Sequence, residues 1–217
     1  MNFTSILMIG LVFLVVVTIN RLIKAKQLQK KANEKYLQDL EKYKSITSEQ
    51  FDAIDDKDLT NAILFHIIGK EDGLYEQDGE SDLSLYDVLS DGERMIYAIY
   101  LVEIAMRGGR GSLHSFFIEE QYEKYRPYVQ QAFRDIDCPN IADLIKAAAR
   151  LAQIIEQDLD DEENDIDQKY ANYNFADYTR TIIEMLKTSD VLTKAATYIK
   201  NHKAMFIDED KGESRNA

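Results

Sequence analysis

Eleven of the twelve residues from Met95 to Met106 are apolar, and Glu103 is the exception. A helix that is apolar on every side lies in the centre of a helical assembly or inside a membrane. Crossing a bilayer takes about 20 residues, so this segment is predicted to be a buried central helix, and the rest of the chain must supply the elements around it. Its start is marked by Ser90 and Glu93, spaced as a capping box. The helix is expected over 93–107. Gly108, Gly109 and Gly111, with Arg107 and Arg110 between and beside them, end it sharply, because glycine accepts the left-handed conformations of a helix stop. The chain then returns Leu113, Phe116 and Phe117 to the core. A carboxylate on such a helix is paired, hydrogen-bonded or neutral if buried. Glu103 is therefore expected to pair with Arg107 one turn later or to mark an exposed strip, with a catalytic acid as the alternative.

The surrounding elements also read as helices. One starts at Asp55 or Asp56, buries Leu59, Ala62, Ile63, Phe65, His66 and Ile67, and is expected to end at Gly69. His66, set among Ile and Phe, reads as a core histidine. Glu71–Asp82 reads as an acidic loop, and Leu83–Leu89 as a short helical turn. Pro127 and Pro139 each stand near the start of an amphipathic helix. The first buries Tyr128, Val129, Ala132, Phe133 and Ile136. The second buries Ile141, Leu144, Ile145, Ala148, Leu151, Ile154 and Ile155. Two further helices run over 175–186 and 191–202. The prediction is an all-α fold, a single compact domain over 48–207 around the central helix, with a disordered polar tail over 208–217.

Ahead of this body, Phe3 to Ile19 holds seventeen residues without a charge. That length is at the lower end of what spans a bilayer. No Lys or Arg precedes it and no convincing cleavage site follows, unlike a signal peptide. Residues 1–23 are expected to be a retained transmembrane anchor and 24–47 a basic helical stalk. Positive charge after the span places the N-terminus outside and the body in the cytoplasm, at an inner membrane. Leu22, Ala25, Leu28, Ala32, Tyr36, Leu40 and Tyr43 form one narrow stripe on the stalk. That stripe suits a short coiled coil, pairing two chains as a homodimer, a stalk packed on its own body, or a lone solvated helix.

Charge is divided unevenly. Residues 1–47 carry eight bases and three acids, whereas residues 48–217 carry 18 bases and 36 acids, a net −18. Such a body is repelled by nucleic acid and anionic lipid and attracted to basic partners. Seven acids crowd into one run: Asp158, Asp160, Asp161, Glu162, Glu163, Asp165 and Asp167. They are candidate partner-binding acids. They do not make a calcium loop, because counting from Asp158 the sixth place is Glu163 and the twelfth Lys169, where that loop needs Gly and Glu. The glycine turn lacks the Lys-Ser/Thr pair and the preceding strand of a phosphate cradle. No metal-ligand spacing or nucleophile elbow is present, and the single Cys138 has no nearby His. No cofactor, metal or direct nucleic-acid contact is expected.

The stretch "ERMIYAIYLVEIAMRGGRGSLHSFF" resembles the signature of a bacterial all-helical family, the DNA mimic protein 19-like domain. Members carry an apolar helix with an acidic residue near its end, then an Asn-Gly-Gly turn, then a Phe-x-Gln-Phe-Phe-like segment. Arg110, Gly111 and Ser112 align with the turn, Ser115 with the Gln, and Phe116 and Phe117 with the aromatic pair. "AFRDIDCPNIADLIKAAA", "DIDQKY" and "YIKNHKAMF" are similar to later family segments, so the resemblance covers roughly 80–207. Here Arg stands for the Asn, Ser for one Gly and for the Gln, and two or three extra residues before the turn shift Glu103 from its register. The resemblance implies an acidic, dimeric protein whose carboxylates imitate duplex phosphates and engage DNA-binding proteins. Three functions are therefore expected in order: a membrane-anchored, non-enzymatic module binding a basic protein; a DNA-mimic regulator; and an uncharacterised enzyme.

Overall fold

The computed structural model describes residues 26–76, 83–107, 112–159 and 175–208. The chain divides into two units, Met1–Lys42 and Tyr43–Ala217. In the first, the described residues 26–42 belong to a helix, α1, whose last residue is 43 and whose Leu28, Tyr36 and Leu37 are exposed. The expected membrane span over 3–23 lies outside the described residues. Among those described, no helix is long and apolar enough to cross a membrane.

The second unit is helical throughout its described residues. In order it contains α2 (Ser48–Asp52), α3 (Asp56–Glu76), α4 (Leu85–Val88), α5 (Asp91–Arg107), α6 (Leu113–Ile118), a 3-10 segment (Glu120–Tyr125), α7 (Arg126–Asp135), α8 (Pro139–Leu159), α9 (Phe175–Thr188), α10 (Val191–Asn201) and a short 3-10 turn (Lys203–Met205). Local chemistry starts many of them. Thr47 and Gln50 form a capping box for α2, as Ser84 and Asp87 do for α4. Ser112 accepts from the His114 amide at the start of α6. Asp137 and Asp190 take left-handed backbone, φ 58° and 49°, in the turns before α8 and α10, a conformation Asp tolerates better than most residues.

α5 is the hub. It packs on α3, α6, α7 and both 3-10 segments. Ile96, Tyr97, Ala98, Leu101, Val102, Ala105 and Met106 are buried. The helix is not enclosed on every side, however. Met95, Ile99 and Tyr100 are half-buried and Ile104 is exposed, because no neighbour covers that strip completely. α8 covers α6 and α7 and meets α9, while α10 lies along α3. Val129, Ala132, Phe133 and Ile136 of the expected α7 face and Ile141, Ile145, Ala148 and Ile155 of the expected α8 face are buried, whereas Tyr128, Leu144 and Leu151 are half-buried and Ile154 is 48% exposed.

Gly69 does not end α3, which continues to Glu76 and takes the first half of the expected acidic loop into the helix. The residue serves a close approach instead. A Cβ at Gly69 would lie 3.3 Å from the Lys44 Cα, so the missing side chain lets the incoming chain pass against α3. At Gly92 a Cβ would lie 2.8 Å from the Phe206 ring and 2.9 Å from the Met205 Cβ. The C-terminal turn thus seats directly on the first turn of α5. Asp208, expected to begin the free tail, belongs to the body. Its amide donates to the Ile46 carbonyl (2.9 Å), and its carboxylate accepts from the Ser45 hydroxyl (2.6 Å) and the Ile46 amide (3.1 Å).

Candidate functional site

The segment after α5 uses its aromatic residues for packing. Phe116 is fully buried, stacked 5.4 Å from Tyr122 and edge-on to Phe117 at 5.5 Å. Phe117 reaches Phe175 of α9. Ser115 is buried. The buried Thr179 hydroxyl accepts from the Leu113 amide and donates to the Phe175 carbonyl, both at 2.9 Å. It thereby ties α6 to α9. Glu103 pairs with Arg107 as expected, and the pair lies on the helix surface, where the side chains are 38% and 73% exposed. Gly108, Gly109, Arg110 and Gly111 lie outside the described residues. So do Asp160, Asp161, Glu162, Glu163, Asp165 and Asp167, while Asp158 falls in the last turn of α8.

The buried carboxylate of α5 is Glu93, 1% exposed. One of its oxygens accepts from the Ser90 amide (2.8 Å), completing the capping box with the Glu93 amide on the Ser90 hydroxyl (3.2 Å). The other accepts from Lys70 Nζ (2.7 Å). His66, also 1% exposed, lies one turn before Lys70 on α3. Its Nδ1 donates to the Tyr43 carbonyl (3.1 Å), since a carbonyl can only accept. Nε2 is then the atom facing the carboxylates of Glu93 and Asp208, each at 3.5 Å. Burial pushes the Asp208 carboxyl up, but the Ser45 hydroxyl, His66, the Ile46 amide and Lys70 outweigh it and hold it below its ordinary value. This cluster joins α3, α5 and both ends of the unit. Sequence reasoning placed His66 in the core and Glu93 in a cap, yet nothing local signalled that they meet.

His114 stacks on Phe175 (4.4 Å) and His202 on Tyr198 (4.2 Å), and among the described residues no group of His, Cys, Asp and Glu could hold a metal ion. Cys138 is buried, which pushes its thiol up and suits packing rather than nucleophilic attack.

Among the described residues, two of the surface hollows lie beside α3 and α5. A groove of about 300 Å³ between α3, α5 and the α9–α10 turn is lined by Leu64, Ile99, Tyr100, Leu186 and Leu192, with Glu103 and Lys187 at its edge. A larger one, about 620 Å³, lies between α3, α4, α5 and the longer 3-10 segment. Its walls include Tyr86, Tyr97, Tyr122 and Tyr125 together with Glu71, Glu120 and Glu123. Tyr97 and Tyr125 meet edge-on at 5.2 Å. Burial, then the nearby Glu71 charge, push the Tyr125 phenol up to about 12 and the Tyr97 phenol higher still. Burial and the neighbouring Asp72 likewise raise Glu71.

No curated protein and no solved structure matches the chain. A family model described as DMP19-like protein matches residues 87–202, from the end of α4 to the end of α10, which is more than half of the sequence and contains the hub helix and its aromatic closure. The chain therefore belongs to the DMP19-like protein family.

Proposed function

We propose that the chain is a non-enzymatic interaction protein whose acidic body binds a basic protein partner. One observation carries this reading: the distribution of ion pairs. Most described basic side chains of the body are already engaged by acids, among them Lys57, Lys70, Arg94, Arg107, Arg134, Arg180, Lys194, Lys200 and Lys203. Among the described residues, Glu49, Asp58, Asp72, Glu120, Glu123 and Glu184 have no cationic partner. These exposed carboxylates are surplus negative charge on the described surface, and residues 48–217 carry a net −18 in sequence. Such a surface attracts positive surfaces over about a Debye length.

Family membership favours a narrower form of this reading, in which the carboxylates stand in for duplex phosphates and the partner is a DNA-binding protein. The uncharged run at Phe3–Ile19, followed by basic residues, supports a position on the cytoplasmic face of an inner membrane. Paired stalks would make the assembly a homodimer.

Affinity capture with the full chain in mild detergent tests the reading, washed at about 0.05 M and 0.5 M salt and with competing duplex DNA. A basic partner released by salt is the expected result, and release by DNA selects the mimic form. Only salt-resistant partners would exclude the electrostatic reading.

A further inference from the structure

The hollow between α3, α4, α5 and the longer 3-10 segment combines two features that together describe a ligand. We propose that it is a binding pocket for a guanidinium group, which an arginine side chain of the partner would supply. This rests on the proposed basic partner and names the chemistry that would be recognised.

The aromatic component comes first. Tyr97, Tyr122 and Tyr125 are each at least nine-tenths buried, and all three line the cavity. A cation is attracted to an aromatic face through the ring quadrupole, and more strongly where water is excluded. The protein already uses this contact at the cavity edge. The Arg94 guanidinium sits 4.4 Å from the Tyr86 ring centroid, and Lys124 Nζ lies 5.5 Å from the same ring.

The second component is uncompensated negative charge. Glu71 projects from α3, and its charge is felt by the phenols of Tyr97 and Tyr125 on two other elements. It is partly withdrawn from water, which raises its pKa, and Asp72 raises it further. Among the described residues no basic side chain pairs with Glu71, Glu120 or Glu123. The one lysine on the wall, Lys124, is occupied by the Ser84 hydroxyl at 2.9 Å and by Asp87 at 3.8 Å. A carboxylate in partial burial gains most from an incoming cation that restores its charge balance. A planar cation that both stacks and donates in a fork fits this combination better than a compact ammonium. The volume, about 620 Å³, falls within the usual range of ligand cavities.

The test uses the full chain with isotope-labelled tyrosine rings, whose signals are assigned by single Tyr→Phe variants. The probes are N-acetyl-arginine amide and its neutral isostere, N-acetyl-citrulline amide. The arginine probe is expected to shift the Tyr97, Tyr122 and Tyr125 ring signals and to saturate on the order of 1 mM. The citrulline probe should bind at least about tenfold more weakly, and Glu71→Gln should weaken arginine binding about fivefold or more. Glu123→Gln, at an exposed position, provides a second variant if Glu71→Gln disturbs folding, and a smaller loss is expected from it. Equal shifts with both probes, or none with arginine, would overturn the pocket. Saturable arginine binding in a chain that captures no basic protein would leave the pocket standing and remove the reading above it. Salt-sensitive capture without arginine binding would do the reverse.

Discussion

His66 Nε2 lies 3.5 Å from a Glu93 carboxylate oxygen, and each side chain is 1% exposed. The first belongs to α3 and the second to the first turn of α5. The same Glu93 oxygen holds Lys70 at 2.7 Å, while the other holds the Ser90 amide. One carboxylate therefore caps the hub helix and anchors its neighbour.

Glu93→Ala removes both functions and leaves Lys70 and His66 facing a void. Removing one partner of a buried pair costs about 3–5 kcal/mol, so this variant is expected to lose at least about 3 kcal/mol in chemical denaturation. Glu93→Gln keeps an acceptor for the Ser90 amide and should lose less. Equal losses would show that the cap contributes nothing.

Asp208 gives this cluster a pH dependence. Its folded carboxyl is held below the ordinary 3.8, so it favours folding at every pH above that value. The contribution is lost as pH falls through the lower folded value. Asp208→Asn should therefore be less stable than the parent chain at neutral pH, with a gap that closes below about pH 4. Thermal melts from pH 7 to pH 3 read this directly, and a gap that widens on acidification would contradict it.

The tyrosine pocket predicts behaviour at the alkaline end. Tyr125 is raised to about 12, and Tyr97 further, chiefly by burial. For a raised phenol, stability is fully present below its unfolded value near 10 and is lost as pH rises through the folded value. Phenolate absorbance should show a late group of tyrosines that appears only with unfolding. A single transition near the ordinary value would show that these rings are open to water.

Gly92→Ala places a Cβ 2.8 Å from Phe206, itself 1% exposed, and 2.9 Å from the Met205 Cβ. Overpacking of this kind costs about 1–3 kcal/mol and works against the helix-propensity gain of Ala over Gly, about 1 kcal/mol. A net loss of stability is expected, with faster amide exchange at Phe206 and Asp208. A stabilised variant would mean the C-terminal turn gives way easily.

Thr179→Val keeps shape but removes the hydroxyl between the Leu113 amide and the Phe175 carbonyl. A buried donor left unsatisfied costs about 1–3 kcal/mol. The urea midpoint should fall accordingly, and an unchanged midpoint would mean that the Leu113 amide finds water.

Helix positions were legible in the residues themselves, because caps and apolar spacing act within a few residues. Ser90 and Glu93 announced the start of α5, and Val129, Phe133, Ile141 and Ile145 announced the buried faces of α7 and α8. The family was legible too, through a contiguous stretch. What lies opposite a residue was not legible. The apolar run pointed to Glu103 as the unusual acid, yet Glu103 faces outward and Glu93 is enclosed, because α3 and the C-terminal segment cover the first turn of α5 and leave its strip at Glu103 and Ile104 uncovered. Gly69 looked like a stop, and only the passage of Lys44 3.3 Å away gives it a different use. Glu71 looked like part of a solvated loop, and only the fold faces it toward Tyr97 and Tyr125. Helices are determined by neighbours in sequence. Burial, ion pairing and pockets are determined by neighbours in space, and Ser45, His66, Glu93 and Asp208 become neighbours only when the two ends of the unit close on α3 and α5.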